Sequence, residues 1–388
     1  MSTKNSAILE SRARRTAAGD GEQYAWLDWL RFGAAFAVLL CHARGGTWLD
    51  YGSLETGSKS LIATIFFVVT RPNLEPVVIF FVLSGFLVGG KILERLIQAS
   101  FSPSSFALDR FSRIYVPLVP ALAVTALVAL VTGRTIDFGE LAGNLLSLQC
   151  VVFSSFADNA PLWSLSYEVW FYVLAGSAAT VIAGTGNKAR LFAMILFAGA
   201  VLIYTALSPA LLYCWIMGAV AYPLRNVKLP GLAVGVAALL AVSGAVASQL
   251  NMKTKESAEF ALVWLPPREL AILVMSAGTA VTVAWLAGRP VRSKIIRKWQ
   301  ALGTVLAAFS YTLYLTHYPV LELLNWLVAT RYNDITVANI GVFLFKISVC
   351  LGVAWLLYLP FERRTGDFRR WFRSRFMGRG GRRSHDTR

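Results

Sequence analysis

Charge is the first thing in short supply. Only 15% of the 388 residues are charged and 56% are hydrophobic, whereas soluble domains carry about 25% charged residues. That balance excludes an ordinary soluble domain and points to an integral membrane protein. Acidic residues are scarcer still, 21 against 37 basic ones, for a net charge of +16. The four cysteines (Cys41, Cys150, Cys214, Cys350) lack metal or disulfide spacing, which excludes a disulfide scaffold. No His/carboxylate metal spacing, G-x-S-x-G elbow or G-x-x-x-x-G-K phosphate loop occurs. No internal repeat or appended soluble domain stands out, and the only biased segment is the tail RFMGRGGRR. No secretory signal is expected before the first apolar run.

What is present is a series of apolar stretches of about 20 residues, the length that spans a bilayer. They fall near 26–43, 75–92, 114–132, 161–183, 191–207, 209–223, 230–249, 269–287, 305–328 and 338–359. The expected fold is therefore all-α, a polytopic bundle of about ten transmembrane helices. The stretch 61–70 (LIATIFFVVT) is too short to span alone and is expected to lie in the interface or re-enter. With the N-terminus in the cytoplasm, most basic residues fall inside, including Lys91, Arg95, Arg110, Arg113, Arg225 and ten arginines after Pro360. This is the positive-inside pattern. It puts both termini in the cytoplasm and reads the high positive charge as topology and contact with anionic lipid, not as nucleic-acid binding. The expected divisions are a cytoplasmic tail 1–25, a membrane domain 26–360 and a basic cytoplasmic tail 361–388.

The polar residues inside the apolar runs carry the chemistry. In WLDWLRFGAAFAVLLCHARGG, Arg31 and His42 are eleven residues apart, about 20° of rotation on a helix, and Asp28 falls about 40° to the other side. The three form one stripe, with His42 about 16 Å along the axis from Arg31. Such stripes face a cavity or partner groups; an interfacial Asp28–Arg31 pair beside a buried histidine is the plainer alternative. Cys41, about 100° round from His42, is expected to face elsewhere. In FFVLSGFLVGG, Gly85 and Gly89 make a small-xxx-small face for close helix packing. Arg110 and Arg113 share one helical turn and suit phosphates, or form an ordinary basic flank. In PLWSLSYEVWFYVL, Ser164, Glu168 and Tyr172 recur every four residues, and Glu168 has no local basic partner. In FSYTLYLTHYPVLELLNW, Ser310, Tyr314 and His317 recur at four and three.

In this order, LDWLRFGAAFAVLLCH, FFVLSGFLV, RFSRIYVPL, PLWSLSYEVWFYVL and SYTLYLTHYPVL resemble the motifs of the acyltransferase-3 family of membrane acyltransferases. The likeness runs from about residue 26 to the PFERRTGDF stretch, and it is to the shorter members without an SGNH domain. The resemblance implies acyl transfer from cytoplasmic acyl-CoA, the donor substrate, to a hydroxyl of a surface polysaccharide, lipopolysaccharide or related glycoside. Acetyl is the family's commonest group. It maps the family's arginine–histidine pair onto Arg31 and His42, and its R-x-x-R onto Arg110 and Arg113. On this reading Arg31, Arg110 and Arg113 hold the donor, and His42 acts as base or nucleophile. Glu168 orients His42 or binds acceptor, while Asp28, Ser164, Tyr172, Tyr314 and His317 bind substrate or support the site. No permanently bound cofactor and no metal are implied. The implied setting is the bacterial inner membrane, with a glycan or lipid-linked saccharide acceptor. Membrane lipids, polysaccharide-assembly proteins or a second copy of the chain are the further partners. A saccharide transporter or flippase is the alternative from another class. Acceptor choice is expected in the loops 44–74, 134–160, 250–268 and 330–337.

Overall fold

The computed structural model describes residues 25–184, 186–251, 268–289 and 294–377. Most of the expected N-terminal tail, most of the loop 250–268, and the end of the C-terminal tail lie outside the described residues. Among the described residues the secondary structure is helical, with only two isolated β-bridges.

The helices that position the site are α1 (Ala25–Gly45), α2 (Leu61–Val69), α3 (Leu74–Ser84), α4 (Gly90–Ile97), α5 (Pro103–Val131) and α6 (Phe138–Leu145). They continue with α7 (Trp163–Ile182), α8 (Asn187–Ile203), α9 (Pro209–Ala221), α10 (Gly231–Leu250) and α11 (Arg268–Ala287). The series closes with α12 (Lys294–Ala308), α13 (Ser310–Leu327), α14 (Val337–Tyr358) and α15 (Thr365–Phe372).

Among the described residues, six helical stretches are long and apolar enough to cross a membrane: Leu61–Ile97, Pro103–Val131, Ala160–Ile182, Gly231–Leu250, Arg268–Ala287 and Val337–Phe376. About ten were expected. The remainder fall short for physical reasons. α8 and α9 have 17 and 13 residues, the expected span 305–328 is broken at Phe309 between α12 and α13, and α1 carries Asp28, Arg31 and Arg44. The stretch 61–70, expected to be interfacial or re-entrant, is a nine-residue helix, α2, within the longer Leu61–Ile97 stretch.

The chain divides into two compact units, drawn from Met1–Cys41, Thr64–Glu94 and Ser208–Ser310, and from His42–Ala63, Arg95–Leu207 and Tyr311–Arg388. In the first unit, α3 packs on α9 through glycines. A Cβ on Gly85 would lie 1.8 Å from the Trp215 carbonyl oxygen, and one on Gly218 would lie 2.1 Å from the Val82 carbonyl oxygen. Only glycine lets the two backbones approach this closely. The helix leaves α geometry there for a π turn, Gly85–Gly89, a local widening that often accompanies a functional or packing demand.

In the second unit, α5, α7, α13 and the segment after Pro360 surround the polar residues. Pro319 inside α13 has no N–H for the Leu315 carbonyl four residues earlier. Asn159 fills that gap, donating from Nδ2 to Leu315 O at 3.2 Å and to Thr125 Oγ1 at 3.0 Å. One buried amide thus ties the loop before α7 to both α5 and α13. After Pro360 the chain turns back onto α5: Arg369 and Arg373 each reach Asp109 Oδ1 at 3.3 Å.

Candidate functional site around two histidines

α13 orders the site in the second unit. Tyr311, Thr312, Tyr314, His317 and Tyr318 follow one another up this helix, and each touches a residue from another element.

At its start, the Arg113 guanidinium lies over the Tyr311 ring, 5.5 Å from its centroid. Arg113 donates from Nη1 to Glu362 Oε1 at 2.9 Å, and the other oxygen of Glu362 accepts from Thr312 N at 3.1 Å and Thr312 Oγ1 at 2.7 Å. The buried Glu362 therefore fixes one of the two arginines and the first turn of α13 together. Arg110, one turn before Arg113 on α5, lies over the Tyr172 ring at 5.5 Å. Its Nε is buried without a hydrogen-bond partner among the described residues. Tyr172 donates to Glu168 Oε1 at 2.6 Å, so the helical spacing of Glu168 and Tyr172 becomes a direct bond.

Glu168 also lies within electrostatic range of Arg113, Tyr311 and Tyr314. It has no hydrogen bond to either histidine among the described residues. Its place is beside the arginines. One turn earlier on α7, Ser164 meets the histidine-bearing part of α13. Ser164 Oγ and Tyr314 Oη are 2.7 Å apart, and both donors approach the Pro161 carbonyl, at 3.2 and 3.1 Å.

One turn farther along α13, the His317 and His42 rings come together with centroids 5.4 Å apart. His317 is fully buried. Its Nδ1 sits 3.0 Å from Leu313 O, an oxygen that only accepts, so Nδ1 carries the proton. In the neutral ring Nε2 is then an acceptor, and it has no partner among the described residues. Tyr318 meets His42 edge-on at 5.2 Å. His42 is half-buried, near the end of α1. That end is pinned by Lys346, whose Nζ donates to Gly46 O and to Asn325 Oδ1, both at 2.8 Å.

In the first unit, Asp28 and Arg31 form an ion pair at 3.9 Å, and Thr304 Oγ1 donates to Asp28 Oδ2 at 2.9 Å. Cys41 turns its thiol to the Arg71 carbonyl at 3.3 Å.

The sequence model of the acyltransferase-3 family, described as an acyltransferase domain, matches residues 24–359. The chain belongs to the acyltransferase-3 family. The match covers nearly the whole chain and points to a membrane acyltransferase. An uncharacterized protein of Haemophilus influenzae is similar, 31% identical over 110 residues, which are 25% of this chain and 45% of that relative. The chain thus spans less than half the length of the curated relative it matches. No solved structure matches.

Within this acyltransferase-3 chain, the residues singled out from sequence divide between the units. His42, Arg110, Arg113, Ser164, Glu168, Tyr172, Tyr314 and His317 lie in the second, and Asp28 and Arg31 in the first. Glu362, Tyr311, Tyr318 and Lys346 escaped the sequence reading. Glu362 had one visible signal: an acid in a strongly basic stretch. Among the described residues no group of three or more His, Cys, Asp or Glu side chains is placed to hold a metal ion.

Proposed function

We propose that the protein is a membrane-bound O-acyltransferase of the bacterial cytoplasmic membrane. It moves an acyl group, acetyl first among the candidates, from cytoplasmic acyl-CoA to a hydroxyl of a surface polysaccharide, lipopolysaccharide or related glycoside. The observation that carries this reading is the meeting of His42 with His317 on the same helix that packs against Arg113 through Tyr311. Tyr311, which packs on Arg113, and His317, which meets His42, are about six residues apart on α13, some 9 Å along the axis.

Arg110 and Arg113 hold the phosphates of CoA by charge-assisted bonds. Of the pair on α5, Arg110 has the freer guanidinium, because Arg113 is already tied to Glu362. Glu168 and Tyr172 keep the arginine end ordered; Asp28 holds Arg31 through its ion pair.

His42 is the reacting histidine because it is half-buried, whereas His317 is sealed and bonded to its own helix. In direct transfer, His42 takes the acceptor O–H proton as that oxygen attacks the thioester carbonyl. The tetrahedral adduct then collapses, the C–S bond breaks, and the thiolate takes the proton from the imidazolium. In the covalent route, His42 itself attacks the thioester carbonyl, the C–S bond breaks and CoA leaves with the imidazole proton; the acceptor hydroxyl then attacks the acyl-imidazole and returns its proton to His42. Acyl-enzyme trapping from donor alone separates the two. His317 supports His42 by offering Nε2 as an acceptor. Ser164 and Tyr314 keep α7 and α13 in register beneath the pair. Membrane lipids, polysaccharide-assembly proteins or a second copy of the chain are the partners that fit this placement.

The test compares surface glycans from wild-type, deletion and His42→Ala strains by mass spectrometry. The expected result is an acyl substituent present in the wild type and missing from the other two. The same acyl profile in all three strains sinks the reading.

A further inference from the structure

Beyond the histidine pair, α13 carries a second polar group that the acyl-transfer chemistry itself does not use. Tyr318 and Glu322 lie one turn apart, on one face of the helix. Glu322 Oε2 accepts from Arg134 Nη2 at 2.8 Å. The other arm of Arg134 donates to Asp158 Oδ2 at 3.2 Å and to Ala157 O at 3.1 Å, while its Nε reaches Thr132 Oγ1 at 3.3 Å. The cluster is open to ligand: the Arg134 and Glu322 side chains are 28% and 27% exposed, and Asp158 is 81% exposed. Burial works against the Arg134 charge, but the hydrogen bonds and charges of Glu322 and Asp158 outweigh it and raise its pKa above the ordinary value, so the guanidinium stays charged.

The distribution of donors and acceptors identifies what would complete it. Arg134 spends most of its N–H groups inside the cluster, while each carboxylate has about four acceptor sites and uses few of them. The complement of such a set is a ligand rich in O–H donors that also has an apolar C–H face for Tyr318. Tyr318 in turn touches His42, so a ligand seated here has a hydroxyl next to the reacting ring.

We propose that Tyr318, Glu322, Arg134 and Asp158 form the acceptor subsite, and that its ligand is a saccharide unit presenting adjacent hydroxyls. The carboxylates accept from the hydroxyls that flank the acylated one, and Arg134 sets the carboxylates in place. The assignment rests on the acyltransferase reading above and names the substrate class of that same site.

The experiment expresses Glu322→Gln and Asp158→Asn, as full-length protein, in the deletion strain. Two quantities are read: the acyl content of the surface glycan by mass spectrometry, and the thermal shift that CoA produces in each purified protein. The expected result is a fall of about tenfold or more in acyl content with a CoA shift equal to wild type. Wild-type acyl content in both variants, with none in the deletion strain, overturns the subsite. Loss of the CoA shift together with the acyl group also overturns it, because the cluster is then only a latch for the loop. If wild-type and deletion strains have identical glycans, the acyltransferase reading falls and the subsite falls with it.

Discussion

Glu362 offers the most informative single perturbation. It is 4% exposed and accepts three hydrogen bonds, one from Arg113 and two from Thr312. Glutamine in its place keeps one carbonyl oxygen for Thr312 but turns an NH2 group toward the guanidinium. The charge-assisted bond is lost, a change of about 1.5–3 kcal/mol. A fully buried pair would cost about 3–5 kcal/mol when broken. The Arg113 side chain is 36% exposed, so water takes up part of the loss and the lower range applies. Glu362→Ala is worse, because the amide and hydroxyl of the buried Thr312 also lose their acceptor. The assay is equilibrium unfolding in mixed detergent–lipid micelles for Arg113→Met, Glu362→Gln and the double variant. A coupling of about 1–3 kcal/mol is expected. Additivity within about 0.3 kcal/mol would refute the reasoning, since the two groups would then not be bonded in the folded protein.

Three further outcomes follow from the geometry. Arg110→Met is expected to raise the KM for acyl-CoA about tenfold or more with a smaller change in kcat, because it removes phosphate contacts made equally in ground and transition states; steady-state kinetics check this, and an unchanged KM counts against Arg110 as a donor ligand. Gly85→Val drives a side chain into the Trp215 carbonyl and is expected to cost about 1–3 kcal/mol or more, seen as a lowered Tm; an unchanged Tm would mean α3 and α9 are not in backbone contact. Cys41→Ser keeps a donor for the Arg71 carbonyl and is expected to retain activity within about twofold, an expectation that fails if the variant is as inactive as His42→Ala.

Local periodicity made much of this legible from sequence. The i,i+4 step from Glu168 to Tyr172 becomes a hydrogen bond, and the glycines of FFVLSGFLVGG become a close helix contact. His317 and Tyr314 share α13 as their spacing implies, and their rings lie 6.0 Å apart. The Asp28–Arg31 pair is also a one-turn relation. What stayed hidden are pairings between distant segments. Glu362 joins Arg113 across 249 residues, and Glu322 joins Arg134 across 188, and no period or composition encodes either. Lys346 reads as one charge in an apolar run until α14 brings it to the end of α1. Helix ends stayed hidden too: apolarity alone does not register where a helix breaks, as at Phe309, or how short α9 is.

The central claim is that His42 performs acyl transfer. Its most direct measurement is free CoA released from acetyl-CoA by the purified protein in lipid nanodiscs, with membranes of the deletion strain supplying acceptor. The account predicts steady CoA release by the wild type, lowered about 100-fold or more by His42→Ala, with both proteins equally folded. Equal release by the two proteins, or movement of a labelled saccharide across vesicles without thioester consumption, would contradict it.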